Sequence, residues 1–165
     1  MKKHSTDLKQ ASGLLTATIA SGLYATIADY GAGTGTAGPD LAAAANTKLL
    51  RYDVSYDWPG NENLKPLNKE FWDNIAEADV VICANVLNVI TDDAELQETI
   101  AKLVRAMKAS KGKKLLIQVY KAPKPSNTQR AQSLLHYAGL IKNKHPELQA
   151  QVKGRTIILE EGKTK

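Results

Sequence analysis

Asp29-Tyr-Gly31-Ala-Gly33-Thr-Gly35-Thr-Ala-Gly38 puts four glycines into eight residues, directly behind the short apolar segment YATIAD (24–29). A glycine inside a helix or strand costs about 0.5–1 kcal/mol relative to alanine, so this stretch is no interior of a regular element. It serves either a tight turn or a ligand that must touch backbone. The segment ahead, AGPDLAAAANT (37–47), reads as a helix start, with Pro39 in its first turn and an alanine run behind it. A strand, a glycine turn and a helix together make the first half of an α/β unit. The turn then faces the helix N-terminus, with its free N–H groups and partial positive charge.

The rest of the chain repeats that alternation. Residues 6–23 predict a first helix on Leu8, Leu15, Ile19 and Leu23, weakened by Gly13 and ending near Gly22. KLLRYDV (48–54) predicts a second strand ending at Asp53, and SYDWPGNENLKP (55–66) a loop. Leu67, Phe71 and Ile75 place a helix over 67–78. ADVVICANVLNVI (78–90), nearly continuously apolar at its start, predicts a central strand beginning at Asp79 and covered on both faces. TDDAELQETIAKLVRAMKASKG (91–112) predicts a helix with Asp92 as cap, Glu95 in the reciprocal capping position and Gly112 at the stop. A strand over 113–121, a proline-containing loop, and a helix over 127–144 with Leu134, Leu135, Ala138 and Ile141 facing inward follow. The tail offers two short strands about Lys153-Gly154. Strands alternating with helices imply a three-layer α/β/α arrangement on a mostly parallel sheet, with an antiparallel C-terminal edge. The expectation is a single domain over 1–165.

Charge is unevenly spread. The net +5 combines a balance of +2 over 1–52, −9 over 53–98 and +12 over 99–165. The basic third suits an anionic partner such as nucleic acid, or forms a lysine-rich surface facing the acidic third. No run of 18 apolar residues is present, so no membrane span is expected, and Thr16, Thr18 and Ser21 break up any signal-peptide core. The single cysteine, Cys83, fits a cytoplasmic location, and with scattered His4, His136 and His145 it gives no metal-ligand spacing.

Two cofactor spacings overlap in the glycine run. Gly33-x-Gly35-x-x-Gly38 matches the dinucleotide fingerprint. Asp29-x-Gly31-x-Gly33-x-Gly35 resembles the first motif of class I S-adenosylmethionine-dependent methyltransferases. A carboxylate before the glycines suits a cofactor that carries an ammonium there, and crowds a pyrophosphate. Asp53, at the end of the second strand, suits two ribose hydroxyls with its two acceptor oxygens and serves either cofactor. ADVVICANVLNVITD is similar to the fourth strand and following loop of the methyltransferase family, in wording close to small methyltransferase-like proteins of phages and bacteria. The resemblance covers about residues 24–120. It implies a Rossmann-like methyltransferase fold, with S-adenosylmethionine held by Asp29, Tyr30, Gly31, Ala32, Gly33, Gly35, Asp53, Val54 and Asn85. Cys83 and Asn88 read more simply as a core residue and a turn cap.

The family pattern also thins. Between Asp53 and Asp79 there is room for one loop and one helix, so the family's third strand is expected to be missing and the sheet reduced. Adenine recognition then falls to Val54, Tyr56 or Trp58. No N/D-P-P-Y/F motif and no Pro-Cys pair appears, leaving the acceptor unnamed and no catalytic base beyond weak candidates His136 and His145. The loop 120–130, with Lys121, Lys124 and Arg130, suits an anionic acceptor. Alternatives are a non-catalytic binding protein, a nicotinamide-dependent dehydrogenase and a sulfonium-cleaving enzyme.

Overall fold

Val80-Val81-Ile82-Cys83 runs through the middle of a six-stranded sheet with every one of these side chains buried. The computed structural model describes residues 11–162. Its elements are α1 (Gly13–Ala20), β1 (Thr26–Tyr30), α2 (Ala37–Ala44), β2 (Lys48–Tyr52), α3 (Pro66–Asn74), β3 (Val80–Ala84), α4 (Asp93–Ala109), β4 (Lys114–Gln118), α5 (Leu134–Lys144), β5 (Leu148–Lys153) and β6 (Thr156–Glu161). The strand order is β2-β1-β3-β4-β6-β5. β2, β1, β3 and β4 are parallel, while β6 runs antiparallel to both β4 and β5. This is a Rossmann-like α/β fold with an antiparallel C-terminal edge.

Strand alternation divides the core into two. Ile27, Val80, Ile82 and Leu116 point to one face, where Leu14, Leu15 and Ile19 of α1 and Ala42 of α2 cover them. Ala28, Val81, Cys83, Leu115 and Ile117 point to the other, against Phe71 of α3, the Leu96–Ile100–Leu103–Met107 stripe of α4, and Tyr137 and Ile141 of α5. Between β2 and β3 the described chain forms two 3-10 turns and α3 but no strand, which leaves β2 as the sheet edge. Lys48 and Arg51 place charge along that open edge, a common guard against strand-to-strand association.

Several local expectations change. Leu8 lies outside the described residues. α1 starts later than 6 because the Ser12 side chain accepts the Leu15 N–H, and Leu23 is exposed beyond the helix rather than on its buried stripe. Strand β2 stops at Tyr52, since Asp53 caps the 3-10 turn Val54–Asp57. Asp79 lies just before β3, its carboxylate accepting the Ala25 and Thr26 N–H groups. Asp92 does cap α4, accepting the Glu95 N–H at 2.8 Å, but the return bond from the Glu95 side chain is not made. α4 ends at Ala109, and Gly112 answers a different need: a Cβ there would sit 1.7 Å from the Asp79 carbonyl oxygen. α5 begins only at Leu134, after Ser133 caps it, and Leu135 is exposed while Tyr137 takes the inward place.

Candidate functional site

In the sheet, β1 sits between β2 and β3, so the chain leaves β1 toward one side and later returns on the other. The loops beyond these two strands diverge and leave a crevice at their carboxyl ends, the usual ligand position in an open α/β sheet. A cavity of about 1010 Å³ lies there. Asp29, Tyr30, Gly31, Ala32, Gly33 and Gly35 line it from behind β1, Asp53 and Val54 from behind β2, and Asn85 from behind β3. The candidate residues named from sequence thus come together at one place.

The glycine bend is tied down from beneath. Gly31 and Ala32 both donate their N–H groups to the Tyr52 carbonyl, at 2.7 and 2.9 Å. Gly31 adopts φ +88°, and a Cβ on it would lie 2.2 Å from Val86 Cγ2. Both the backbone conformation and the close approach of the β3 loop therefore demand glycine at 31. Arg51 of β2 reaches under the bend and donates to the Gly33 and Gly35 carbonyls at 3.2 and 3.1 Å. The Tyr56 hydroxyl donates to the same Gly33 carbonyl at 2.6 Å. Tyr56 is fully buried and supports the loop, so the expectation that it stacks on a ligand is corrected. Val54, half exposed, and Trp58 remain on the cavity wall. Gly38 is buried in α2, where Leu15 of α1 packs on it.

The two carboxylates behave differently. Asp53 accepts the Gly33 N–H at 2.8 Å on one oxygen and the Ser55 N–H at 2.9 Å on the other. Its own backbone is clamped by Asn68, which accepts from the Asp53 N–H and donates to the Asp53 carbonyl, both at 2.9 Å. Asp29 is only 6% exposed, yet no hydrogen-bond donor among the described residues reaches its carboxylate. Burial pushes its carboxyl up to about 7, against the pull of the Arg51 guanidinium and with a smaller push from Asp53. Ala11, Ser12 and Leu15 line the same cavity from the α1 side. Tyr30 points to the opposite face and stacks on Tyr52 at 4.5 Å between ring centres, edge-on to Phe71.

Beyond β3, Asn85 holds φ +60° and donates its N–H to the Gln118 carbonyl at 2.7 Å. Cys83 is a fully buried core residue whose thiol pKa is pushed up by burial, then by Asp29 and Asp53, so it is no nucleophile. Asn88 makes no side-chain cap. It is 2% exposed, is one of the cavity's lining residues, and its amide oxygen is buried without a partner among the described residues. The loop after β4 closes over this side through Tyr120, Asn127, Thr128 and Gln129. Lys121, Lys124 and Arg130 of that loop do not line the cavity. Arg130 turns away from it, donating to the Ile90 carbonyl, to the Thr91 carbonyl at 3.0 Å and to Asp93 at 2.7 Å. His136 and His145 also lie off the cavity, His145 being 3.7 Å from Glu147 Oε1. Neither is placed to act as a base.

Sequence reading passed over Arg51, Asn68, Val86 and the α4 face. Arg51 had a signal: two residues before Asp53 in a strand, it projects to the same side. Asn68 and Arg130 had none, since their partners are 15 and 37 to 40 residues away.

No family model matches the sequence, and no curated protein matches it. Among solved structures the chain is similar to an O-methyltransferase family protein from Burkholderia thailandensis, with 14% sequence identity and a TM-score of 0.48. The match covers 90% of this chain and 55% of that one, so the chain spans little more than half of that protein's length.

Proposed function

We propose that this protein is a methyltransferase that binds S-adenosylmethionine in the crevice between β1 and β3. The observation that carries the reading is Asp29, a buried carboxylate that accepts no hydrogen bond from the described residues, set one residue before a bend where a side chain has no room. A buried charged form without compensation is costly, and a ligand ammonium at that point supplies the compensation. A dinucleotide fits poorly, because its pyrophosphate would meet Asp29 instead.

The residues present fit the cofactor. Asp29 faces its ammonium, and the bare backbone of Gly31 and Gly33 accommodates its methionine portion. Asp53 keeps lone pairs for ribose hydroxyls, since an ionised carboxylate offers about four acceptor positions and two are used by N–H groups. Val54 and Trp58 give adenine an apolar wall on the side where a third strand would otherwise stand. The bound cofactor supplies an electrophilic methyl group on a sulfonium, whose leaving group is already good. The protein's work is alignment, with Asn85 and Asn88 at the reacting end and the loop after β4 limiting water. The described residues that line the cavity include no histidine and no cysteine, which is compatible with that division of labour.

Titration calorimetry with S-adenosylhomocysteine tests the reading. Saturable binding, lost in Asp29→Asn and weakened in Asp53→Ala, is the expected result. Saturable binding of NAD with none of the sulfur compounds would replace this reading with a dehydrogenase.

A further inference from the structure

The β5–β6 hairpin sorts its charges by the edge of the sheet. Thr156 pairs with Gln118, the last residue of β4, and with Lys153, so the turn Lys153-Gly154-Arg155 lies at the carboxyl edge beside the loop that leaves β4. Glu160 pairs with Lys114 and Glu161 with Leu148, which puts these acids at the amino edge. Bases answer acids there: Lys114 lies 3.7 Å from Glu160, and Lys108 2.5 Å from Glu147. The carboxyl edge differs. Lys153 and Arg155 are exposed, as are Lys121 and Lys124 in the loop after β4, and no ion pair among the described residues uses any of the four. Glu147 is the only acid between Val119 and Leu159. The sequence outside the described residues adds a single acidic side chain, Asp7.

These bases adjoin the cavity without lining it. Gln118 accepts the Asn85 N–H on its carbonyl at 2.7 Å and pairs with Thr156, so it stands between Asn85 and the hairpin. Two residues on, Tyr120 lines the cavity and is 55% exposed. Lys121 and Lys124 fall between Tyr120 and Asn127, which both line the cavity, and Ala122 is buried between the two lysines and anchors the segment. The acids of the opening lie on the α4 side: Asp92, Glu95 and Glu98 line the cavity from there, and Arg130 pairs with Asp93. A strip of exposed bases therefore crosses the β4–β6 end of the sheet, with an exposed aromatic ring on its cavity side.

From this strip and the ring beside it, we infer that the β4–β6 carboxyl edge is a binding surface for single-stranded nucleic acid. Its phosphates lie along Lys121, Lys124, Lys153 and Arg155, and a base stacks on Tyr120. Spaced cations without acidic partners match a chain of phosphates, whose counterions they replace. An exposed ring adds affinity only for bases whose faces are open, which separates a single strand from a duplex. The inference goes beyond the methyltransferase reading and does not depend on it, because the surface lies outside the cavity and is tested without cofactor.

Fluorescence anisotropy of the full-length protein with a labelled oligothymidine tests it, over a salt series and beside the same strand in a duplex. The expected result is saturable binding of the single strand, tighter than of the duplex. Arg155→Glu weakens it about fivefold or more and flattens its salt dependence. Lys144→Glu makes the same charge change at the opposite edge, on an exposed residue that also enters no ion pair among the described residues, and leaves affinity within about twofold. Tyr120→Ala weakens binding about tenfold, and Tyr120→Phe keeps it. All four positions are exposed, so thermal unfolding of the variants stays at the parent's midpoint. Equal losses in Arg155→Glu and Lys144→Glu overturn the surface, because net charge alone then attracts the strand. A duplex bound as tightly as the single strand, or Tyr120→Ala without effect, overturns the single-strand assignment. Absence of saturable binding overturns it as well, as does binding only to phosphatidylserine–phosphatidylcholine vesicles.

Discussion

The two walls of the cavity are built on opposite plans. On the β1–β2 wall almost every polar group is spent inside the protein. Gly31, Ala32 and Gly33 donate to Tyr52 and Asp53, and Arg51 and Tyr56 donate to glycine carbonyls. Asp29 is the exception. On the β3–α4 wall the ties run behind the surface, through Arg130, while the Asn88 amide oxygen and the Glu95 carboxylate of two lining residues have no partner among the described residues. A wall held by internal bonds presents one fixed shape, which suits an invariant ligand. A wall with unspent groups offers chemistry to a ligand that has yet to arrive. The difference separates where a cofactor would be cradled from where an acceptor would be chosen.

Breaking the first wall has the largest effect. Gly31→Ala forces an alanine to φ +88° and drives its Cβ into Val86. A loss of about 3–5 kcal/mol in chemical denaturation is expected. Adding Val86→Ala removes the clash and leaves the backbone strain, so the double variant should regain about half of the loss.

Asp29 is the point where the first wall departs from its own plan, and its titration shows why. Its pKa is raised from the model-peptide value of 3.8 to about 7 by burial. The folded state therefore holds a proton that the unfolded chain has released between those values. The stabilising contribution is complete below about pH 3.8 and is lost as pH rises through about 7. Asp29→Asn should flatten that decline and leave the ligand-free protein about 2–4 kcal/mol more stable at pH 8 than the parent. Thermal unfolding from pH 5 to 8.5 checks it. The same variant should lose S-adenosylhomocysteine binding by about a hundredfold. In the parent, affinity for that ammonium-bearing ligand should rise with pH across 6–8, because the carboxylate must be ionised to receive it. A variant that is less stable and still binds would remove Asp29 from the site.

Asp53→Ala frees two N–H groups that the carboxylate now accepts, so about 1–3 kcal/mol of stability should go with it. Asp53→Asn keeps an acceptor for one of them and should cost less, which denaturation of the pair resolves. The smallest effect belongs to the second wall. Arg130→Ala removes the ties to Ile90, Thr91 and Asp93. A change of about 1–2 kcal/mol, with faster proteolysis between residues 119 and 133, is expected. If cleavage is unaffected, the loop is held by something other than Arg130.

Much of this was legible before any coordinates. The alternation of apolar strands with amphipathic helices implied a mostly parallel sheet, and the run at 80–83 placed its centre. The short interval between Asp53 and Asp79 implied the reduced edge. The errors share a cause. Gly112 looked like a helix stop because glycines often are, whereas the Asp79 carbonyl pressing on it decided the residue. Tyr56 looked like a ligand-facing aromatic, whereas burial sends its hydroxyl to the Gly33 carbonyl. Cys83 is the core residue that its sequence setting suggested.

Periodicity and turn chemistry act over a few residues, so the sequence alone determined the strands, the helices, the glycine bend and the carboxylates at the strand ends. Which polar groups remain unspent is a question about neighbours far along the chain. Arg51 under the bend, Asn68 on Asp53, Arg130 behind Asn88, and the acidic face that α4 turns toward the cavity in a basic protein were decided only by packing. Hydrogen bonds and desolvation depend on distance in space, and a sequence records distance only along the chain.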